Sequence, residues 1–158
     1  MNKTTNYPQQ APKAPEIEIF YKTTVKAAER PKITHSNDVF RIMSEIGEMS
    51  RNMEYKEMFF ALYMNTANDV LAVHKISEGT TKQTLVDIKF IMQGAILTNA
   101  ASLIICHNHP SGNTDPSTED KKLTQQIGLA AKLFNVQLLD SIIITAEDYF
   151  SFCEQGII

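Results

Sequence analysis

His107-Asn108-His109-Pro110 sets two of the chain's four histidines one residue apart, directly behind the apolar run Ser102 to Cys106. In an extended backbone, side chains at i and i+2 leave the same side, so the two imidazoles can converge on one ion. Neutral imidazole nitrogen binds zinc at about 2.0–2.1 Å, a distance both rings can meet from such positions. Asn108 faces the other way, and Pro110 stiffens the exit. A polar loop, Ser111 to Pro116, then carries the chain to a helix start at Ser117, where Asp120 offers a carboxylate. Two histidines and one carboxylate leave a fourth tetrahedral position for water, the plan of a catalytic zinc site rather than a structural one. Bound zinc lowers the pKa of such a water to about 7.

Each piece also has an ordinary explanation. Ser117-Thr118-Glu119-Asp120 reads as a plain helix N-terminus, with a hydroxyl cap and acids in the first turn. An HxH pair alone is weak evidence for a metal. The joint pattern H-x-H-P-x6-S-x2-D arises by chance in on the order of one chain in 10^5 at ordinary residue usage. The two roles of Asp120 are compatible, because a helix start fixes the direction of its carboxylate. His107, His109 and Asp120 are therefore read as ligands of one Zn2+ ion.

The elements that hold these residues follow from the hydrophobic pattern. Alternation in Glu16 to Tyr21 predicts a first strand, at a sheet edge. From Ser36, the residues Val39, Met43, Ile46 and Met49 recur at helical spacing, with Ser36 or Asn37 as cap. Glu57 to Met64 is a strongly apolar strand, and Asp69 to Ser77 its hairpin partner, with a turn at Asn65 to Asp69. A second helix fits Thr84 to Asn99, with Ile88, Met92, Ala95 and Ile96 on one side. Ser102 to Cys106 reads as a short buried strand. The third helix begins near Ser117 and carries Leu123, Ile127, Ala130 and Phe134. Val136 to Thr145 is a further strand, and the segment from Glu147 is short and mixed. Strands interleaved with helices predict an α/β fold: one mixed sheet with helices packed on its faces. Residues 1–15, with three prolines, read as a disordered leader, and 16–158 as one domain.

Composition narrows the function classes. A formal net charge of -3 supplies no basic field for nucleic acid or anionic lipid. No apolar stretch approaches the roughly 18 residues of a membrane span, and no hydrophobic signal region opens the chain. Two distant cysteines, Cys106 and Cys153, fit a reduced, cytoplasmic protein. Cys106 neighbours His107 but points to the opposite face of the strand, as a small buried hydrophobe. His74 reads as an exposed strand residue and His35 as loop. Neither HExxH nor the H-x-E with P-C-x-x-C of zinc deaminases occurs.

The motif resembles the JAMM metalloprotease signature, and "HNHPSG" followed by "PS..D" is most similar to its RadC-like branch. The resemblance covers Glu57 to the C-terminus, about two-thirds of the chain, with the motif core at 57–145. It implies a cytidine-deaminase-like sandwich, zinc on His107, His109 and Asp120, and an upstream glutamate that handles protons. By position that glutamate is Glu57, with Glu54 a nearby competitor. Ser117 would match the family serine that contacts the reacting carbonyl oxygen. Two departures stand out. Asp140-Ser141 replaces the branch's usual Asp-His, and Lys89 stands where an arginine is usual.

The leading expectation is a zinc-dependent hydrolase of an amide or isopeptide bond in a peptide or protein, with Glu57 passing protons and Ser117 steadying the oxyanion. The alternative is a non-catalytic or DNA-repair-associated accessory module that keeps the zinc site, although the net charge does not support DNA association. Metal-assisted phosphodiester cleavage usually needs two metals and more carboxylates than this loop offers. The edge strand at 16–21 could pair with a second copy to form a dimer.

Overall fold

The strand β1, Met58–Met64, is apolar at every position, and all seven of its residues are buried. Such a strand needs cover on both faces. Met58, Phe60, Leu62 and Met64 enter one core, while Phe59, Ala61 and Tyr63 enter another. The computed structural model describes residues 21, 23–79 and 85–158. The expected leader at 1–15 and the first strand, apart from Tyr21, lie outside the described residues, as does Thr84. The Tyr21 hydroxyl donates to the Leu71 carbonyl.

Around β1 the sheet runs β2-β1-β3-β4-β5, where β2 is Val70–Glu78, β3 Ser102–Asn108, β4 Gln137–Ile144 and β5 Tyr149–Ser151. β3 and β4 pair in parallel, and the other neighbours pair antiparallel. The parallel pair needs a crossover, which is the helix α4, Thr118–Leu133. It shares a face with α3, Ile88–Leu97, and packs over Tyr63, Leu103 and Ile105. The helices α1, Ser36–Glu45, and α2, Gly47–Asn52, cover the other face through Val39, Met43 and Met49. The expected α/β arrangement of one mixed sheet between helices is what the chain adopts.

The two helices on the α3/α4 face each stop at an asparagine in the left-handed region, Asn99 (φ 51°) and Asn135 (φ 56°). A short polar side chain tolerates that conformation and ends a helix cleanly. Gly94 faces the buried Tyr63, whose hydroxyl donates to the Ile91 carbonyl at 2.9 Å, and a Cβ at 94 would overlap that phenol.

Several boundaries differ from expectation, each for a local reason. The apolar stripe from Ser36 spans two helices, because Ile46 leaves helical geometry (ψ 108°) and Gly47 restarts it. The cap is His35, not Ser36 or Asn37. The Ser36 hydroxyl donates instead to Asp140, and the Asp38 carboxylate accepts the Thr34 and His35 N–H groups. α3 begins only at Ile88, capped by Asp87, so Ile96 is half exposed while Ile91 is buried. Phe134 is likewise half exposed. The helix has ended there, and Ala131 takes the buried position. β3 continues two residues past Cys106, to Asn108, and β5 adds an unexpected edge.

Asp140 gathers these elements. Its buried carboxylate accepts from Ser36 Oγ (3.1 Å), Ser151 Oγ (2.6 Å), the Cys153 N–H (3.0 Å) and its neighbour's N–H at Ser141 (2.7 Å). Removing the acceptor strands several buried donors, each costing about 1–3 kcal/mol at most. Asp140→Ala should therefore lower stability by roughly 2–4 kcal/mol in urea denaturation. A loss below about 0.5 kcal/mol would show that other partners take up those donors.

Candidate metal centre

His107 is the last residue but one of β3, and His109 lies one past its end. The backbone stays extended beyond the strand because the His109 N–H donates to the Ile144 carbonyl at 3.0 Å. The spacing of two therefore holds, and the two Nε2 atoms approach to 3.1 Å. The His107 ring stacks on Phe59, its cross-strand partner, at 5.8 Å between centroids and 11° between planes.

Beyond Pro110 the chain curls back on itself. Gly112, at φ 78°, donates its N–H to the His109 carbonyl at 3.1 Å. The curl brings the Asn113 carbonyl to 2.7 Å from His109 Nδ1. A carbonyl only accepts, so Nδ1 carries the proton and the neutral ring keeps its lone pair on Nε2, the atom aimed at the cluster.

Asp120 arrives on the first turn of α4. Ser117 is the N-cap: its hydroxyl accepts the Asp120 N–H at 3.1 Å and donates to Asp120 Oδ2 at 2.6 Å, while the Ser117 N–H donates to Oδ2 at 2.7 Å. That reciprocal box turns the carboxylate toward the histidines, with Oδ1 at 3.2 Å from His107 Nε2 and Oδ2 at 3.6 Å from His109 Nε2. The cap and the candidate ligand are one residue. A turn further along, Thr124 Oγ1 donates to Ser141 Oγ at 3.0 Å, hooking α4 to β4 behind the cluster.

The electrostatics reflect this crowding. Burial of Asp120 favours its neutral form, but hydrogen bonds from His107 and His109 outweigh it and hold the carboxyl well below the usual range. The bond to Asp120 raises His109 above its ordinary value, against the effect of burial and with help from the Asn113 carbonyl and the Glu57 charge. Glu57 is thus close enough to be felt. Phe59 pairs with His107 as the last rung between β1 and β3, and Glu57 stands two residues ahead of Phe59 at that same end of the sheet. Its own carbonyl accepts the Gly79 N–H at 2.9 Å. Glu54 is exposed, in the turn after α2.

The ligand atoms of His107, His109 and Asp120 lie within 4.8 Å of one another, and the three residues can hold a metal ion. His107 Nδ1 is buried with no hydrogen-bond partner among the described residues, so the ring's polar contacts run through Nε2. Two imidazole nitrogens and a carboxylate oxygen form a donor set suited to a borderline divalent cation. The residues fit such an ion. The spacing argument reached these three side chains, but not Asn113, which acts through its backbone, nor the Thr124–Ser141 pair.

The model of the RadC-like JAB domain family matches residues 33–157. The chain belongs to this family. It is 39% identical over 127 residues to the UPF0758 protein of Flavobacterium johnsoniae, covering 80% of this chain and 53% of that one. The UPF0758 protein of Chlorobium chlorochromatii is 37% identical over 127 residues, covering 80% and 55%. That of Fusobacterium nucleatum is 40% identical over 102 residues, covering 65% and 44%. The RadC-like chain thus spans about half the length of the curated relatives it matches. Among its described residues, no helix is long and apolar enough to cross a membrane.

Two measurements test the centre. His107→Ala and Asp120→Ala should each lower Zn2+ affinity in calorimetry by at least about 100-fold. Affinity unchanged in both would rule the cluster out. His109 faces Asp120, Glu57 and His107, and its raised value means the metal-free fold gains stability from its proton. That gain is full below about 6.5, its unfolded value, and is lost as pH rises through the folded one. Ligation displaces the proton, so Zn2+ affinity should fall as pH drops below His109's folded value, by up to about tenfold per unit.

Proposed function

We propose that this RadC-like JAB domain is a zinc-dependent hydrolase that cleaves an amide or isopeptide bond in a peptide or protein. One observation carries the reading: the three candidate ligands converge, with a carboxylate, Glu57, one residue ahead of β1 and near enough for its charge to act on His109. Zinc held there by His107 Nε2, His109 Nε2 and Asp120 supplies Lewis acidity and a water that ionises near neutral pH.

The remaining steps belong to the chain's own groups. Glu57 accepts a proton from the attacking water and returns one to the leaving amine. Ser117, exposed at the head of α4, offers its hydroxyl to the carbonyl oxygen as charge builds there. Asp120 then keeps the Ser117 backbone N–H as a donor at 2.7 Å, so the ligand carboxylate stays oriented while the hydroxyl turns away. The Asn113 carbonyl holds the His109 tautomer throughout.

A structural zinc is more often closed by a fourth protein ligand, whereas three side chains converge here among the described residues. That favours hydrolysis over an accessory module that merely retains the metal. Free cysteines, one buried and one exposed, suit a reducing compartment, and we place the protein in the cytoplasm.

Peptides and isopeptide-linked peptides screened with Zn2+-loaded protein should reveal a cleaved bond. Glu57→Gln should bind Zn2+ normally yet lose about 10^2–10^4-fold in turnover. Full turnover in Glu57→Gln would remove it from the mechanism, and no cleavage of any amide by the loaded wild type would sink the hydrolase reading.

A further inference from the structure

The residue between the two histidines has work of its own. Asn108 is fully buried, and its side chain points to the face opposite theirs. There it binds one short stretch three times. Nδ2 donates to the Met53 carbonyl at 2.7 Å and the Lys56 carbonyl at 2.9 Å, and Oδ1 accepts the Met58 N–H at 2.8 Å. An asparagine amide has two hydrogens and one oxygen, and all three are engaged.

The partners explain the choice. Met53 is the C-cap of α2, where a helix leaves carbonyls without intrahelical donors. The ladder between β1 and β3 stops at Phe59–His107, so the Met58 N–H lies beyond the last paired residue. The Asn108 side chain replaces the missing rung. Lys56 and Met58 are also the two neighbours of Glu57, so the peptide units bracketing that glutamate are both tied to one side chain.

We propose that Asn108 is the positioning residue for Glu57. It fixes the proton-handling carboxylate to the same strand, and to the same residue step, that carries both histidines. The inference rests on Glu57 acting as the proton-transfer group. The Gly79 N–H on the Glu57 carbonyl, at 2.9 Å, supports the segment from the β2 side. The Lys56–Glu78 pair at 3.1 Å and the Lys75–Glu78 pair at 2.9 Å brace the same end. None of these three contacts reaches β3. Asn108 alone among these links the bracketing peptides to the ligand strand.

The test uses Asn108→Ala, which removes all three bonds, and Asn108→Asp, which keeps the shape and the acceptor but loses both donors. With Co2+ as the probe metal, pseudocontact shifts of the Glu57 side chain report its place relative to the ion. In both variants those shifts should collapse toward an average, and exchange at the Met58 amide should rise at least about tenfold in Asn108→Ala while Phe60 stays protected. Zn2+ affinity should stay within about threefold of wild type, because the ligands are untouched. With a substrate from the screen above, kcat should fall about 10–100-fold at constant KM.

Unchanged Glu57 shifts and Met58 exchange would overturn the proposal. So would Zn2+ affinity falling in step with kcat, which would mean that Asn108 serves the ligands instead. Loss of the fold in both variants would also overturn it, as a bond needed for folding at large. If the wild type cleaves nothing, the hydrolase reading fails, while the shifts and exchange still decide whether Asn108 places Glu57.

Discussion

The antiparallel register between β1 and β3 is the constraint on which the rest depends. Phe59 faces His107, and every residue of both strands is buried. Slipping the register by one would carry each side chain to the wrong core. The penalty is large because both faces are filled: Met58, Phe60 and Cys106 on one, Tyr63, Leu103 and Ile105 on the other. Chemistry inherits this parity. The odd positions 107 and 109 share a side, and even-numbered Asn108 is left for the opposite one. Hydrophobic packing in the middle of the sheet therefore aims polar groups at its end, without any polar group having to steer the strands.

A second constraint comes from α4. Its N-terminus must satisfy its own free N–H groups, and Ser117 with Asp120 does so reciprocally. The same box limits the freedom of a carboxylate that two imidazoles approach. Pre-ordering of this kind lowers the entropy lost when a cation arrives, since the loop curl and the helix cap have already placed His109 and Asp120. The Thr124–Ser141 pair holds the helix at the depth this requires. Ser141 stands where the related branch usually has histidine, and in this chain that position serves as a hydroxyl partner for α4.

Local patterns show in a sequence to the extent that neighbours in the chain decide them. The apolar run Glu57 to Met64 and the helical spacing of Leu123 and Ile127 are of that kind, and they foretold a buried strand and the helix that follows the histidine pair. The step from His107 to His109 and the acid one turn into a helix are also local, so the cluster was legible. The missed features depend on distance or on backbone. Ser36 abandons its capping role for Asp140, 104 residues away. Asn113 contributes a carbonyl that any residue possesses. Ile96 and Phe134 fit an ideal helical stripe, yet helix ends and the Gly94–Tyr63 contact set the phase. Asn108 looked idle because alternation tells only which way a side chain leaves, not what waits on that side.

The Asp140 junction has a topological consequence. The Ser36 and Ser151 hydroxyls meet on one carboxylate oxygen and lie 3.2 Å from each other. The polypeptide thus enters its first helix and leaves its last strand at adjacent points. A unit with neighbouring doors can be spliced into or hung from a longer polypeptide without opening its sheet. Relatives longer than this chain show that the same module is carried within larger polypeptides.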